Sequence, residues 1–184
     1  MNMLASKTLF AASLAGALLF THVGAVADGL PGIMQGKVDT YLKKLVEWAA
    51  NPVVVAAVKE ANAKGPGAMT NGKWNDVDEK DPAAMAFQTN KAGVLINKLE
   101  EGDKGINKLV LRDEKANLVA ASTKPLLFNN LARPVYVMAI KGQVWAATEI
   151  KPDPTTGIKS VQASAPVMDG GKVIGVIHAG ISAE

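Results

Sequence analysis

Arg133 is one of two arginines in a chain whose other cations are lysines. Its planar guanidinium carries paired donors that suit a carboxylate ligand, and the same geometry serves a structural salt bridge. His178 lies within the run Lys172–Ser182, where strand period places it on the same face as Val176 and Gly180. On such a face a neutral imidazole hydrogen-bonds a ligand, titrates as a pH switch or stands as a satisfied structural residue. Trp145 shares a strand face with Gln143 and Ala147, and Ser160, Gln162 and Ser164 share a polar one. Either face suits a half-buried pocket wall or the solvent side of a sheet.

The remaining composition excludes more than it offers. No cysteine is present and there are only two histidines, His22 and His178. Disulfides, thiol catalysis and Cys-ligated metals are therefore ruled out, and a His-rich metal site or a Ser-His-Asp triad lacks material. The sequence has no Gly-x-Ser-x-Gly, no phosphate-cradling Gly-Lys-Ser/Thr loop and no His-x-x-x-His. The acidic pairs Glu100-Glu101 and Asp78-Glu79 sit in charged stretches where a solvated surface is the default. The expectation is a non-enzyme with no metal and no cofactor. A net charge of +3 over 184 residues is no nucleic-acid footprint without a clustered basic face.

These residues need a scaffold, and the hydropathy pattern supplies one. At the N-terminus, Lys7 precedes the apolar run Leu9–Phe20, and Ala25-Val26-Ala27 follows with small residues at the peptidase positions. That order predicts a secretory signal peptide over 1–27, cleaved after Ala27, and a periplasmic or secreted protein of residues 28–184. No later segment is long and apolar enough to span a bilayer, and no helix is expected after the terminal strand to lead into a signalling module.

Gln35 to Ala50 has helical apolar spacing, and Asn51-Pro52 caps and opens a second helix, Val53 to Ala63. Lys64 to Asp81 reads as loop, with Trp74 as its anchor onto the core. A helix restarts at Asp81-Pro82 and runs towards Leu99. Beyond Gly105, strands are predicted at Ile106–Leu111, Leu118–Ser122 and Gln143–Thr148, with a closing hairpin of Ile158–Met168 and Lys172–Ser182. Arg112 to Asn117 is read as a turn, and Arg133 to Lys141 as a short helix ended by Gly142. The fold class is α+β, a PAS-like antiparallel sheet of about five strands with N-terminal helices packed on one side.

Four stretches carry a family likeness: Leu109–Asp113 with Leu118–Ser122, Arg133-Pro134-Val135-Tyr136, Asp153-Pro154-Thr155-Thr156-Gly157, and Ala163–Asp169 with Lys172–Ile177. In this order they resemble the extracellular Cache sensor family, single Cache type, the PAS-like periplasmic domains of chemoreceptors and sensor kinases. The likeness makes 28–105 the helical part and 106–184 the sheet part of one domain. It implies a ligand site at Arg133, Tyr136, Lys151 and Asp153, with Trp145 and His178 as further walls. In the amino-acid-binding class of that family, an Arg and a Trp hold the carboxylate while Tyr and Asp surround the ammonium. Here Val135 stands at the Trp position, Lys151 replaces an aromatic residue, and Gly180 stands where an acid is expected.

The resemblance therefore implies a signal-transduction or chemotaxis sensor that binds a small organic anion and relays it to a membrane-bound chemoreceptor or sensor kinase. The competing expectation is an interaction module with a degenerate pocket, forming a homodimer through its N-terminal helix.

Overall fold

The structure is a computed structural model and describes residues 29–184. The expected signal peptide, 1–27, lies outside the described residues. Among them, no helix is long and apolar enough to cross a membrane.

Helix α1, Gly32–Ala49, buries Met34, Val38, Tyr41, Leu45 and Ala49, a three- and four-residue spacing that puts one stripe against the sheet. Helix α2, Pro52–Lys64, starts where the Asn51 side chain accepts from the Val53 N–H at 2.9 Å and Pro52 fills the first turn. The stretch expected as loop contains a short helix, α3, Asn71–Asn75. It holds Trp74, which is fully buried, donates from Nε1 to the Pro125 carbonyl at 2.8 Å and meets Phe87 edge-on.

The helix expected from Asp81 to Leu99 is two: α4, Pro82–Thr89, and α5, Lys91–Glu101. Asn90 between them is extended (φ −66°, ψ 166°), and its carboxamide oxygen accepts from the Gly93 N–H at 2.8 Å. Its amide Nδ2 donates to the Val119 carbonyl at 2.9 Å, so one side chain breaks the helix and ties the break to the sheet.

The sheet has six strands, one more than expected. They are β1 Ile106–Asp113, β2 Leu118–Ala121, β3 Trp145–Ala146, β4 Lys151–Pro152, β5 Lys159–Asp169 and β6 Lys172–Ser182. Every pairing is antiparallel, in the order β2-β1-β6-β5-β3, with β4 also paired to β5. The long β5–β6 hairpin turns through Gly170 and Gly171, both at positive φ. Strand β1 runs two residues further than expected, so Arg112 is a strand residue and the turn begins after Asp113. The segment expected as a helix from Arg133 is a single turn, α6, Pro134–Val137, followed by a 3₁₀ turn at Ala139–Lys141 that Gly142 ends at φ 88°.

The two faces of this sheet differ in chemistry. Leu109, Leu111, Val161, Ala163, Ala165, Ile177, Ala179 and Ile181 point into the main core with the buried stripes of α1, α2 and α5. Alternation then sends Lys108, Arg112, Ser160, Gln162 and His178 to the opposite face. There the segments around 125–135 and 149–155 rise as walls over the sheet.

Candidate functional site

On that face lies a cavity of about 330 Å³. Its floor is the sheet: Lys108 and Arg112 from β1, His178 from β6, Ser160 and Gln162 from β5, and Trp145 from β3. Pro125, Leu126, Leu127, Asn130 and Arg133–Val135 form one wall, and Glu149–Thr155 forms the other.

Lys108 and Asp153 meet in the floor. The Lys108 Nζ donates to both oxygens of the Asp153 carboxylate, at 2.8 and 2.6 Å, with side-chain exposures of 7% and 0%. The carboxylate also accepts the Thr155 and Thr156 N–H groups at 2.8 and 3.2 Å and Gln162 Nε2 at 3.1 Å. Burial pushes the Asp153 carboxyl up, and the Lys108 hydrogen bond and charge with the two N–H groups outweigh it, holding it below its ordinary value. The Asp-Pro-Thr-Thr-Gly turn is thus built around a carboxylate already committed to a lysine.

Arg112, 2% exposed, spends its guanidinium on the protein. It donates to the carbonyls of Ala116, Phe128 and Leu127, and its Nε donates to His178 Nε2 at 3.3 Å. Burial pulls its pKa down to about 9 against the pull of Asp113, so it remains a cation at neutral pH. Because His178 Nε2 accepts, that nitrogen carries no proton, and the neutral ring places its proton on Nδ1. Burial, with the charges of Arg112 and Lys108, holds the imidazole well below its usual range.

Three of the lining residues carry a buried polar atom with no protein partner: Asn130 Oδ1, Ser160 Oγ and His178 Nδ1. Ser164, paired across the strands with His178 and Trp145, carries a fourth behind the floor. Each of these atoms is buried, and Ser160 lies opposite Ser182 while His178 lies opposite Ser164, so they are spread along the floor and form no single group.

Arg133, Trp145, Lys151, Asp153 and His178 all line this cavity. Tyr136 does not. It packs with Ala116, Ala139 and Val176, and its hydroxyl donates to the Glu114 carbonyl at 2.7 Å. The reason is local: Arg133 caps α6, and within that single turn Tyr136 points from the helix into the β1–β2 corner while Arg133 stays at the mouth. Burial and the charge of Asp113 raise its hydroxyl to about 12, leaving it a neutral donor.

Lys151 is exposed and paired with Glu149. Arg133 is also exposed but has no ion-pair partner among the described residues.

Lys108, Arg112 and Asn130 are the residues that sequence reasoning missed. Lys108 and Arg112 sit four residues apart, on one face of a strand whose centre, Leu109–Leu111, is apolar, which is the available signal. The dense charge of Arg112–Lys115 disguises it as a turn. Asn130 offers no sequence signal, because its role depends on a loop with no regular structure. Among the described residues, no group of three His, Asp or Glu is placed to hold a metal ion.

No family model and no curated protein matches the chain. Solved structures do, and those named here are sensor domains. The sensor domain of the V. cholerae histidine kinase DctB is 18% identical, with a TM-score of 0.41, over 82% of this chain and 57% of that one. The ligand-binding domain of the Campylobacter jejuni chemoreceptor Tlp3, in complex with L-norvaline, is 16% identical, with a TM-score of 0.43, over 84% and 63%. The ligand-binding domain of the Pseudomonas aeruginosa PAO1 amino acid chemoreceptor PctC, in complex with GABA, is 16% identical, with a TM-score of 0.37, over 78% and 64%. The chain spans about three-fifths of the length of these structures. Likenesses at this level describe outline and carry nothing about ligand or role.

Proposed function

We propose that the chain is an exported Cache-type sensor domain, with a signal peptide at 1–27 and one domain over 28–184, whose cavity binds a small organic anion. The observation that carries the reading is the disposition of charge around the cavity. Lys108, Arg112, Arg133 and Lys151 line it against two acids, Glu149 and Asp153, and each acid is held by a lysine. No carboxylate is left to neutralise an ammonium group. Arg133 at the mouth is a cation without an acid, and its fork accepts a carboxylate in two parallel hydrogen bonds. A membrane chemoreceptor or kinase would then read the occupied state.

Thermal-shift measurements on the purified protein with organic acids, amino acids and amines test this. An acid at 100 times its dissociation constant adds about 2.7 kcal/mol of stability, several degrees for a domain of this size. The shift is expected with carboxylates and not with amines, and it is expected to vanish in Arg133→Ala. That side chain makes no hydrogen bond among the described residues, so the unliganded melting point should stay in place.

One observation favours the interaction reading. Helix α1 exposes Ile33 and Val46, at 93% and 43%. A homodimer through α1 would be lost on Val46→Glu in sedimentation equilibrium. Leu45, one residue away, is in the core and cannot serve as the probe.

A further inference from the structure

Resting on the anion reading above, we propose that the cavity selects a monocarboxylate with a bulky apolar body, an aryl or branched alkyl acid, over small acids, dicarboxylates and amino acids.

Charge sets the head group. Among the lining cations, Lys108 is spent on Asp153 and Lys151 on Glu149. Arg112 is buried and makes four hydrogen bonds to neutral acceptors, the carbonyls of Ala116, Leu127 and Phe128 and the ring of His178. Arg133 is the lining cation whose side chain keeps its donors free among the described residues. One free fork takes one carboxylate. A second carboxylate on the same ligand would lose its water without gaining a partner. An ammonium would fare no better, because both lining acids are held by lysines.

The walls set the body. Arg133 runs directly into Pro134 and Val135, so the cation at the mouth and an apolar surface beside it belong to one stretch of wall. Leu126 and Leu127 on the same side and Trp145 from the floor extend that apolar surface. Leu126 is 49% exposed and Trp145 only half-buried, so large apolar side chains border the cavity with surface open to water. Covering such surface is favourable for an aryl or branched alkyl group and not for a polar one.

Volume sets the size. A cavity of about 330 Å³ is the share of roughly eleven water molecules at about 30 Å³ each. Acetate or propanoate occupies less than half of it, whereas an acid of about ten non-hydrogen atoms fills it.

Isothermal titration of the purified protein with acids that differ in one feature at a time tests this. Phenylacetate and 5-methylhexanoate against acetate remove the body. L-Phenylalanine against 3-phenylpropanoate adds the ammonium, and 3-(4-carboxyphenyl)propanoate adds a second carboxylate. At least one bulky monocarboxylate is expected to bind about tenfold or more tightly than each of its altered counterparts, since one methylene in an apolar pocket is already worth about tenfold. Trp145→Ala and Leu126→Ala should each weaken that acid about fivefold or more. Leu126 is half-exposed on an irregular segment, so its variant should keep the wild-type melting temperature and separate lost contact from lost fold. If acetate binds as tightly as the bulky acids and Arg133→Ala abolishes both, the anion reading stands and the selection for bulk is overturned. If the amino acid or the dicarboxylate matches 3-phenylpropanoate, the charge argument fails and the proposal with it. Unchanged affinity in both apolar variants overturns it as well. If no carboxylate binds at all, the proposal and the anion reading fall together.

Discussion

His178 is the side chain through which this fold meets mild acid. The folded imidazole resists its proton, whereas in the unfolded chain it titrates near pH 6.5. Below that pH the unfolded state binds more protons, so stability falls as pH falls, with a slope of up to about 1.4 kcal/mol per pH unit for one proton. Asp103 and Asp153, held below their ordinary values, lose their contribution only in a more acid window, and Glu100, raised by burial, works in the opposite sense. Melting curves between pH 6.5 and 5 should therefore show an acid destabilisation that disappears in His178→Gln, whose amide still offers Arg112 an acceptor. Equal slopes in both proteins would refute the assignment.

The Lys108–Asp153 pair makes the second residue-scale prediction. Asp153→Asn leaves a buried ammonium without its counter-charge and should cost about 3–5 kcal/mol in urea unfolding. Adding Lys108→Met should restore much of that loss, because the desolvated charge is gone. None of this pairing is legible in the sequence. Asp153 and Lys108 are 45 residues apart, and a turn aspartate looks the same whether it faces a ligand or a lysine.

At the scale of elements, the sheet's register decides what the cavity floor can contain. Gly180 is the position where the family likeness leads one to expect an acid, and a side chain there meets the carboxamide of Asn107. A Cβ there would lie 2.2 Å from Asn107 Oδ1. Gly180→Ala should therefore be accommodated by rotation of the Asn107 carboxamide, with a change in urea-unfolding stability below about 1 kcal/mol, and a larger loss would show that Asn107 is held in place.

The long β5–β6 hairpin and the first two helices were readable because strong periodicity and explicit caps agree there. The division of the helix at Asn90 was not. The apolar spacing continues through it, and the break depends on a hydrogen bond to Val119 that only the folded sheet supplies. Strand β4 escaped for a related reason: Lys151-Pro152 has the residues of a turn and becomes a strand by pairing with Ser160 and Lys159.

For the whole molecule, one sheet separates two environments. The helix side is apolar and carries the stability, so Leu45→Ala, which empties a fully buried site, should cost about 2–5 kcal/mol without touching the ligand site. The other side carries the polar chemistry: paired acids, a cation at the mouth and the unpartnered polar atoms of Asn130, Ser160, Ser164 and His178.

Titration of the purified protein with aryl and alkyl carboxylates, beside amines of matched shape, is the most direct test of the anion reading. Saturable one-to-one binding of a carboxylate, lost in Arg133→Ala at an unchanged melting temperature, is the expected result. Binding of an amine that survives Arg133→Ala, or no binding of any carboxylate, would contradict it.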